Sequence, residues 1–129
     1  MSPPWPPRPA THIAIVGPCA SGKSTLVEGL RGHGLQARQI AQEHSYVPAM
    51  WQILARPQLL VYLHASYAAC TARKQLNWSE GEYQVQLARL SHARAHCDVL
   101  VNTDGLSPEQ VLQAVLAGFG HGHGPQGTV

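Results

Sequence analysis

Nine consecutive residues near the start of the chain have types and a spacing that could bind phosphate. The pattern is a glycine, four free positions, then glycine, lysine and serine, and its residues are Gly17, Pro18, Cys19, Ala20, Ser21, Gly22, Lys23, Ser24 and Thr25. Glycines let the backbone approach a ligand closely. A lysine at this spacing reaches the outer phosphates of a nucleotide, and the serine hydroxyl after it ligates Mg²⁺. The pattern therefore predicts a phosphate-binding loop, with Lys23 on the phosphates and Ser24 on the metal.

Two elements must hold this loop in place. An apolar run at 12–16 predicts a strand before the loop, and a helix-like segment at 26–31 follows it. A loop between a strand and a helix turns several backbone N–H groups toward one point, where the helix N-terminus adds roughly half a positive charge. The Walker A motif of nucleotide-binding proteins requires this context. We therefore interpret residues 17–25 as a Walker A motif.

The rest of the chain predicts strands that alternate with helices. Further strands are expected at 35–40, 59–63 and 98–102, and further helices near 50–54, at 66–76, at 79–96 and at 107–119. Two helix starts have the spacing of a capping box, Ser79 with Glu82 and Ser107 with Gln110. This alternation predicts an α/β fold with parallel strands, helices on both faces, and ligands at the carboxyl ends of the strands.

Length and composition bound the organisation of the chain. Its 129 residues and net charge of +2 fit one domain, without a basic cluster for nucleic acid. No apolar run is long enough to cross a membrane. We expect a disordered proline-rich arm at 1–11, a nucleotide-binding domain at 12–119, and a flexible tail rich in glycine and histidine at 120–129.

The cysteines favour a reducing, cytoplasmic location. Cys19, Cys70 and Cys97 are an odd number and form no CxxC pair. Cys19 lies inside the predicted loop, where it is either a redox-sensitive thiol or a residue that fills a position for a small side chain.

Three stretches within residues 12–119 together resemble the small P-loop kinases, of the nucleoside and nucleoside-monophosphate kinase type. They are the loop at 17–25, the strand at 60–64 followed by Arg73, and the segment at 98–105 that leads into a capped helix. The resemblance implies a three-layer P-loop NTPase fold and an ATP-dependent phosphotransferase that binds ATP and Mg²⁺ and acts on a nucleoside- or nucleotide-like acceptor. Because only residues 45–58 separate the second strand from the third, we expect a reduced, mostly parallel sheet of about four strands.

The resemblance also implies roles for residues outside the loop. Glu43 follows the second strand, where these kinases place a carboxylate that accepts a proton from the acceptor or helps to hold Mg²⁺; a surface glutamate is the alternative. Arg73 would lie near the adenine or the transferring phosphate, and Asp104 on the base side. Arg89 and Arg94 would be lid arginines that close on the phosphates, and an exposed charge on the helix surface is the alternative for Arg73, Arg89 and Arg94 alike. The predicted catalytic residues are Lys23, Glu43 and Arg73; the metal ligands are Ser24 and Glu43; the nucleotide contacts are residues 17–25, Arg73 and Asp104.

Departures from the family pattern leave a second function open. His64 stands where these kinases usually have an aspartate, and no apolar strand ending in aspartate lies within 45–58. The chain therefore lacks a clear Walker B carboxylate for Mg²⁺, and the alternative is a regulatory nucleotide-binding module without useful transfer activity. A GTPase switch is disfavoured because residues 102–104 lack the lysine of the guanine-reading motif.

The acceptor is expected between the loop, Glu43, Tyr46 and Trp51. The two aromatic residues are equally consistent with core packing. If they are exposed, they could instead cover apolar surface in a homodimer, so a monomer and a homodimer both stay open.

Overall fold

The computed structural model describes residues 12–55, 57–74 and 77–122 of the chain. Its elements in chain order are β1 His12–Val16, α1 Lys23–Gly32, β2 Gln36–Gln39, a 3-10 turn Gln42–His44, α2 Met50–Ala55, β3 Leu59–His64, α3 Tyr67–Lys74, α4 Glu80–His96, β4 Val99–Asn102 and α5 Pro108–Gly122. The predicted strands and helices are all present, with ends shifted by a few residues. The predicted arm at 1–11 and the segment at 123–129 lie outside the described residues, whereas α5 continues past position 119 to Gly122. No helix in the described ranges is both long and apolar enough to cross a membrane.

The four strands form one all-parallel sheet in the order β2-β1-β3-β4. The chain leaves β1 for β2 on one side and then crosses to β3 on the other side, so the direction of winding changes between β1 and β3. In open parallel sheets, ligands bind at the carboxyl ends of the strands at such a point. Gly17 directly follows β1, and the loop at 17–25 therefore begins at this position.

Helices cover both faces of the sheet and give three layers. One core cluster joins α1 and α5 to the sheet through Ile13, Ile15, Leu26, Val27, Leu30, Val61, Leu63, Val111 and Val115, among others. A second cluster on the opposite face joins α2 and α4 to it through Ala14, Val16, Ile40, Trp51, Leu60, Tyr62, Leu90 and Ala93. Since β1 and β3 are buried on both faces, their sequences are continuous apolar runs rather than alternating ones. The predicted α/β class with about four strands is confirmed.

Both predicted capping boxes are present. The Ser79 hydroxyl accepts a hydrogen bond from the Glu82 backbone N–H at 3.1 Å, and the Glu82 carboxylate accepts one from the Ser79 N–H at 2.8 Å. Ser107 and Gln110 make the same exchange at 3.1 and 2.8 Å. Each exchange satisfies N–H groups that have no partner inside the helix. The caps therefore fix where α4 and α5 begin.

A cluster of three aromatic residues connects α3 to α4. The rings of Tyr67, Trp78 and Tyr83 lie 5.8–5.9 Å apart between centroids. The Tyr83 hydroxyl donates to the carbonyl oxygen of Ala65 at 2.7 Å, directly after β3. The cluster thus anchors α3, which carries Arg73, to the edge of the sheet where the strands end.

Gly17 makes the tightest junction between the loop and the sheet. A Cβ at this position would overlap the backbone carbonyl oxygen of Leu63 and lie 2.7 Å from the Ser21 hydroxyl oxygen. Because a β3 carbonyl cannot move without disturbing the sheet, we expect Gly17→Ala to lower the free energy of unfolding by at least about 2 kcal/mol, as overpacking does. Urea denaturation monitored by circular dichroism measures this change.

Gly32 provides the matched control, because it ends α1 in open space with nothing within 4 Å of an added Cβ. Gly32→Ala is expected to leave stability unchanged or to raise it by up to about 1 kcal/mol. Equal stabilities of Gly17→Ala and the wild type would contradict the close approach of Gly17 to the Leu63 carbonyl oxygen.

Candidate functional site

A cavity of about 500 Å³ opens beside the loop that follows β1. This volume falls within the range of about 300–1,000 Å³ that is usual for small-molecule sites. Its walls include most of the predicted site: Cys19, Ala20, Ser21, Gly22, Lys23, Ser24, Thr25, Glu43 and Arg73. Other parts of the chain add Leu26, Gln39, Thr103, Leu106, Pro108 and Val111. The structure thus brings together predicted residues from three separate segments of the sequence.

Lys23 is a buried cation at the base of the loop. Lys23 is 6% exposed, and its ammonium nitrogen lies 2.8 Å from Oε2 of Glu43. The same nitrogen donates to the carbonyl oxygens of Gly17 at 2.7 Å and Pro18 at 3.1 Å. An ammonium group has three donors, so these three acceptors satisfy it fully. Gly17 and Pro18 therefore contribute to the site by holding Lys23 rather than by lining the cavity.

The N-terminus of α1 opens into the loop without a side-chain cap. Gly22 is its N-cap residue, with φ 98°, and the first bond of the helix runs from the Leu26 N–H to the Gly22 carbonyl oxygen. The N–H groups of Lys23, Ser24 and Thr25 therefore precede the intrahelical ladder. Uncapped N–H groups and the helix dipole together favour an anion at this end.

Ala20 adopts a left-handed backbone conformation inside the loop, with φ 66°. For a residue with a Cβ this conformation costs about 1–2 kcal/mol. Strained backbone of this kind persists only where surrounding contacts enforce it, and it concentrates at ligand sites. An alanine in the sequence gives no signal of such a conformation, so the motif alone could not reveal it.

Glu43 is buried beside Lys23 rather than exposed on the surface. Its side chain is 5% exposed, Oε2 pairs with Lys23, and the buried Oε1 has no hydrogen-bond partner among the described residues. The alternative of a surface glutamate is therefore wrong. Glu43 is the one residue with a carboxylate among those that line the cavity.

The turn that carries Glu43 is held by Gln42, whose importance the sequence did not reveal. Gln42 is fully buried; its side-chain oxygen accepts from the Trp51 N–H at 2.8 Å, and its amide nitrogen donates to the Val47 carbonyl oxygen at 2.8 Å. Arg89 donates from Nη1 to the Glu43 carbonyl oxygen at 3.3 Å. A buried amide with these partners fixes the position of the neighbouring carboxylate.

Arg73 bridges the loop and the segment after β4. Its Nη1 donates to the Ala20 carbonyl oxygen at 3.2 Å and to the Thr103 hydroxyl at 3.0 Å, and its Nη2 donates to the Thr103 carbonyl oxygen at 2.9 Å. Thr103 is 1% exposed and was not predicted as a site residue. The guanidinium thus lies at the cavity wall, where it fixes two loops relative to each other.

Asp104 lies away from the cavity lining. Its Oδ1 accepts a hydrogen bond from the Ser66 N–H at 3.0 Å. This backbone hydrogen bond holds the pKa of the Asp104 carboxyl below its ordinary value. Ser66 in turn caps α3 by accepting from the Ala69 N–H at 3.1 Å. The contacts of Asp104 therefore position the start of α3, although the resemblance implied a nucleotide contact.

The predicted lid arginines and acceptor aromatics do not line the cavity. The Arg89 guanidinium lies 4.5 Å from the centre of the Tyr46 ring, and that of Arg94 lies 5.8 Å from the Tyr62 ring on the α4 face. Trp51 is 6% exposed in the core, and its indole nitrogen donates to Nδ1 of His92 at 3.1 Å. Core packing is therefore the observed role of Trp51, whereas Tyr46 is 86% exposed.

His64 ends β3, where the family resemblance implies an aspartate. It pairs in register with Asn102 at the end of β4, and its buried Nδ1 has no hydrogen-bond partner among the described residues. The ends of β3 and β4 therefore carry a histidine and an asparagine at these paired positions, and neither residue supplies a carboxylate.

Gln86 supports the loop from α4, and sequence reasoning missed it. It is 7% exposed on α4; its side-chain oxygen accepts from the Cys19 N–H at 2.9 Å, and its amide nitrogen donates to the Cys19 sulfur at 3.1 Å. Its position in the sequence could have indicated its burial, since it lies three residues after Tyr83 and four before Leu90 on the same face of the helix. A polar residue within a buried stripe needs a partner, and that partner is the loop.

No protein-family model matches this chain, and no curated protein shows significant similarity to it. What the site can bind follows from the cavity, the charges and the hydrogen-bonding groups described above.

Proposed function

We propose that the cavity binds ATP with Mg²⁺, and that the chain is a small P-loop kinase that transfers the γ-phosphate to a nucleoside- or nucleotide-like acceptor. The observation that carries this proposal is the buried Lys23 ammonium, which lies in a strand–loop–helix junction with the Glu43 carboxylate 2.8 Å away. One buried cation and one buried carboxylate beside an uncapped helix N-terminus provide the two charges that phosphoryl transfer needs.

Phosphate binding follows from the charges around the loop. A phosphate oxygen can replace the carbonyl acceptors of Lys23, while the N–H groups at the start of α1 donate to the same anion. At 4 Å and an effective dielectric constant near 20, two unit charges interact by about 4 kcal/mol. The exposed hydroxyls of Ser24 and Thr25 line the same cavity. These groups together favour a phosphate anion over a neutral ligand.

The residues present also fit Mg²⁺. The ion prefers oxygen ligands in octahedral geometry and keeps several waters. The Ser24 hydroxyl lies in the cavity, and Oε1 of Glu43 is a buried oxygen that lacks a partner among the described residues. Ser24 and Glu43 would hold the ion, which would neutralise charge on the β- and γ-phosphates.

The transfer step needs a proton acceptor and compensation of charge. The acceptor hydroxyl oxygen forms a bond to the γ-phosphorus, the bond from phosphorus to the β,γ-bridging oxygen breaks, and ADP leaves with that oxygen. The hydroxyl proton passes to the Glu43 carboxylate, and Lys23 and Arg73 stabilise the negative charge that spreads over the oxygens. Glu43 fills one role in a given step, either proton acceptor or metal ligand.

A regulatory nucleotide-binding module is the second candidate. Glu43 contributes the carboxylate of the cavity lining, and the Arg73 nitrogens already donate to oxygens of the protein. A site with few groups left to act on an acceptor would bind the nucleotide without transferring its phosphate.

Calorimetry and turnover together test the proposal. We expect MgATP to bind with one site per chain, and ADP release to rise at least about tenfold when a pool of nucleosides, nucleotides and hydroxylated metabolites is added. Binding with unchanged ADP release would select the regulatory module. Absence of ATP binding at millimolar concentration would exclude both candidates, and a preference for GTP would exclude the adenine assignment.

A further inference from the structure

A thiol, an imidazole and a carboxylate lie close together beside the cavity, which two of these three residues, Cys19 and Glu43, line. The cluster consists of Cys19, Glu43 and His44, whose ligand atoms all lie within 4.8 Å of one another. The Cys19 sulfur is 3.4 Å from Nε2 of His44, and this nitrogen is 3.8 Å from Oε2 of Glu43. The cluster joins the phosphate loop to the turn after β2.

These separations are close to those in a zinc site. Zinc bonds of about 2.3 Å to sulfur and about 2.0–2.2 Å to nitrogen and oxygen, in tetrahedral geometry, place the ligand atoms about 3.3–3.6 Å apart. The 3.4 Å separation of the Cys19 sulfur from Nε2 of His44 lies inside that range, and the 3.8 Å separation of Nε2 from Oε2 of Glu43 lies about 0.2 Å above it. Thiolate and imidazole ligands select zinc over Mg²⁺ and Ca²⁺, which prefer oxygen.

Three further features support binding of a cation. The Glu43 oxygen nearest His44 is Oε2, which is paired with Lys23, whereas the buried Oε1 has no hydrogen-bond partner among the described residues, so the carboxylate keeps one unused acceptor. Gln86 donates an N–H to the Cys19 sulfur at 3.1 Å, and outer contacts of this kind orient and stabilise metal ligands. His44 has a side chain that is 57% exposed and gives solvent access to the cluster.

We propose that Cys19, Glu43 and His44 bind Zn²⁺, with water as the fourth ligand, and that the ion inhibits nucleotide binding. The Cys19 thiol loses its proton to solvent on binding. Zinc would occupy the Glu43 carboxylate that would otherwise hold Mg²⁺, and it would tie the loop to the turn at 42–44. The inhibition therefore concerns MgATP and requires that Glu43 acts as the Mg²⁺ ligand. The zinc site depends only on its three ligands, whereas the inhibition rests on the proposed function.

The reactivity of Cys19 toward a thiol reagent tests the zinc site without any nucleotide. The full chain carrying Cys97→Ser keeps Cys19 and Cys70, and Cys70 is fully buried. Burial also raises the pKa of the Cys70 thiol to about 11, so this residue is expected to stay unreactive while the protein is folded. We expect Zn²⁺ alone to slow modification of Cys19 at least about tenfold. An unchanged rate in the presence of Zn²⁺ would overturn the site.

Zinc affinity, measured by competition with a coloured chelator, identifies the ligands. Cys19→Ser and His44→Gln are expected to weaken binding at least about tenfold, and Co²⁺ is expected to show a thiolate charge-transfer band that Cys19→Ser abolishes. His33→Gln is the matched control, since His33 is exposed at the end of α1. Equal zinc affinities of Cys19→Ser and the wild type would place the metal elsewhere and reject the proposal.

ATP calorimetry with and without zinc tests the inhibition separately. We expect zinc to weaken MgATP binding at least about tenfold in the wild type and to have no effect in His44→Gln. Zinc binding at Cys19 without an effect on MgATP would overturn the inhibitory role. Failure of ATP to bind at all would contradict the proposed function. The thiol and chelator experiments would still test the zinc site, because neither uses a nucleotide.

Discussion

Replacing Lys23 with methionine is expected to weaken ATP binding at least about 100-fold, or about 2.8 kcal/mol. Methionine keeps the length and apolar stem of the side chain but removes its charge. The wild-type ammonium is buried and held between two loop carbonyl oxygens and the Glu43 carboxylate. A phosphate that meets methionine there loses a charge-assisted hydrogen bond in a poorly solvated site. Calorimetry with MgATP measures the loss.

Stability must be separated from binding in this experiment. Lys23→Met leaves the buried Glu43 carboxylate without its cation, and breaking a buried pair in this way costs about 3–5 kcal/mol. The double variant Lys23→Met/Glu43→Gln removes both charges and is expected to recover most of that loss in urea denaturation. Because it also loses the carboxylate that repels the phosphates, it is expected to bind MgATP up to about tenfold more tightly than Lys23→Met, but still at least about tenfold more weakly than the wild type. Recovery of most of the stability without recovery of wild-type affinity would assign the remaining binding loss to the ammonium.

Arg38→Met is a control for loss of a positive charge, because Arg38 is an exposed residue of β2. It is expected to change neither stability nor ATP affinity by more than about 0.5 kcal/mol. Wild-type affinity in the double variant would contradict the phosphate-binding interpretation of the loop.

Features determined by local sequence were predictable. The strand β1, the loop and α1 follow from an apolar run, glycine spacing and a helix-forming segment. The capping boxes at Ser79 and Ser107 depend on residues three apart, so a pattern of four positions was enough to place them. The four strands and their parallel arrangement followed from the alternation of elements.

Contacts between distant segments were not predictable from local pattern. Glu43 lies 20 residues from Lys23, and Gln86 lies 67 residues from Cys19, so each pair meets only after the helices have packed on the sheet. The sequence placed Glu43 near the loop through its position after β2, but its burial depends on Gln42 and on α4. Polar residues such as Gln42 and Gln86 carry no hydrophobic signal, although their burial fixes the loop and the turn beside it.

Trp51 shows why residue type is a weak guide to an acceptor site. An aromatic residue near a cavity could stack on a base or fill the core, and the sequence fits both. Short α2 packs its Trp51 side chain between β1 and α4, where the ring approaches His92 at 5.8 Å between centroids. Trp51 packs in the core because the segment between β2 and β3 is short and forms one helix, α2, that covers the sheet.

Glu43→Gln is expected to lower acceptor-stimulated ADP release by about 100- to 10,000-fold, the usual contribution of a general base. Glutamine keeps the volume and can still accept a hydrogen bond from Lys23, but it cannot take a proton from the acceptor. Glu28→Gln is the matched control, since Glu28 is exposed on α1. Steady-state turnover measures the change, and equal turnover in Glu43→Gln and the wild type would remove Glu43 from the reaction.

Binding of ATP to Glu43→Gln with and without Mg²⁺ distinguishes a proton acceptor from a metal ligand. Without Mg²⁺, loss of the carboxylate removes repulsion of the phosphates, and the variant is expected to bind free ATP about tenfold more tightly, or about 1.4 kcal/mol. If Glu43 ligates the ion, the variant should bind MgATP more weakly than the wild type. If Glu43 acts on the acceptor alone, the affinity for MgATP should equal or exceed that of the wild type. Because neither comparison requires turnover, both also apply to a regulatory module. Equal affinity for free ATP in the variant and the wild type would show that the phosphates bind too far from Glu43 for the carboxylate to act on them.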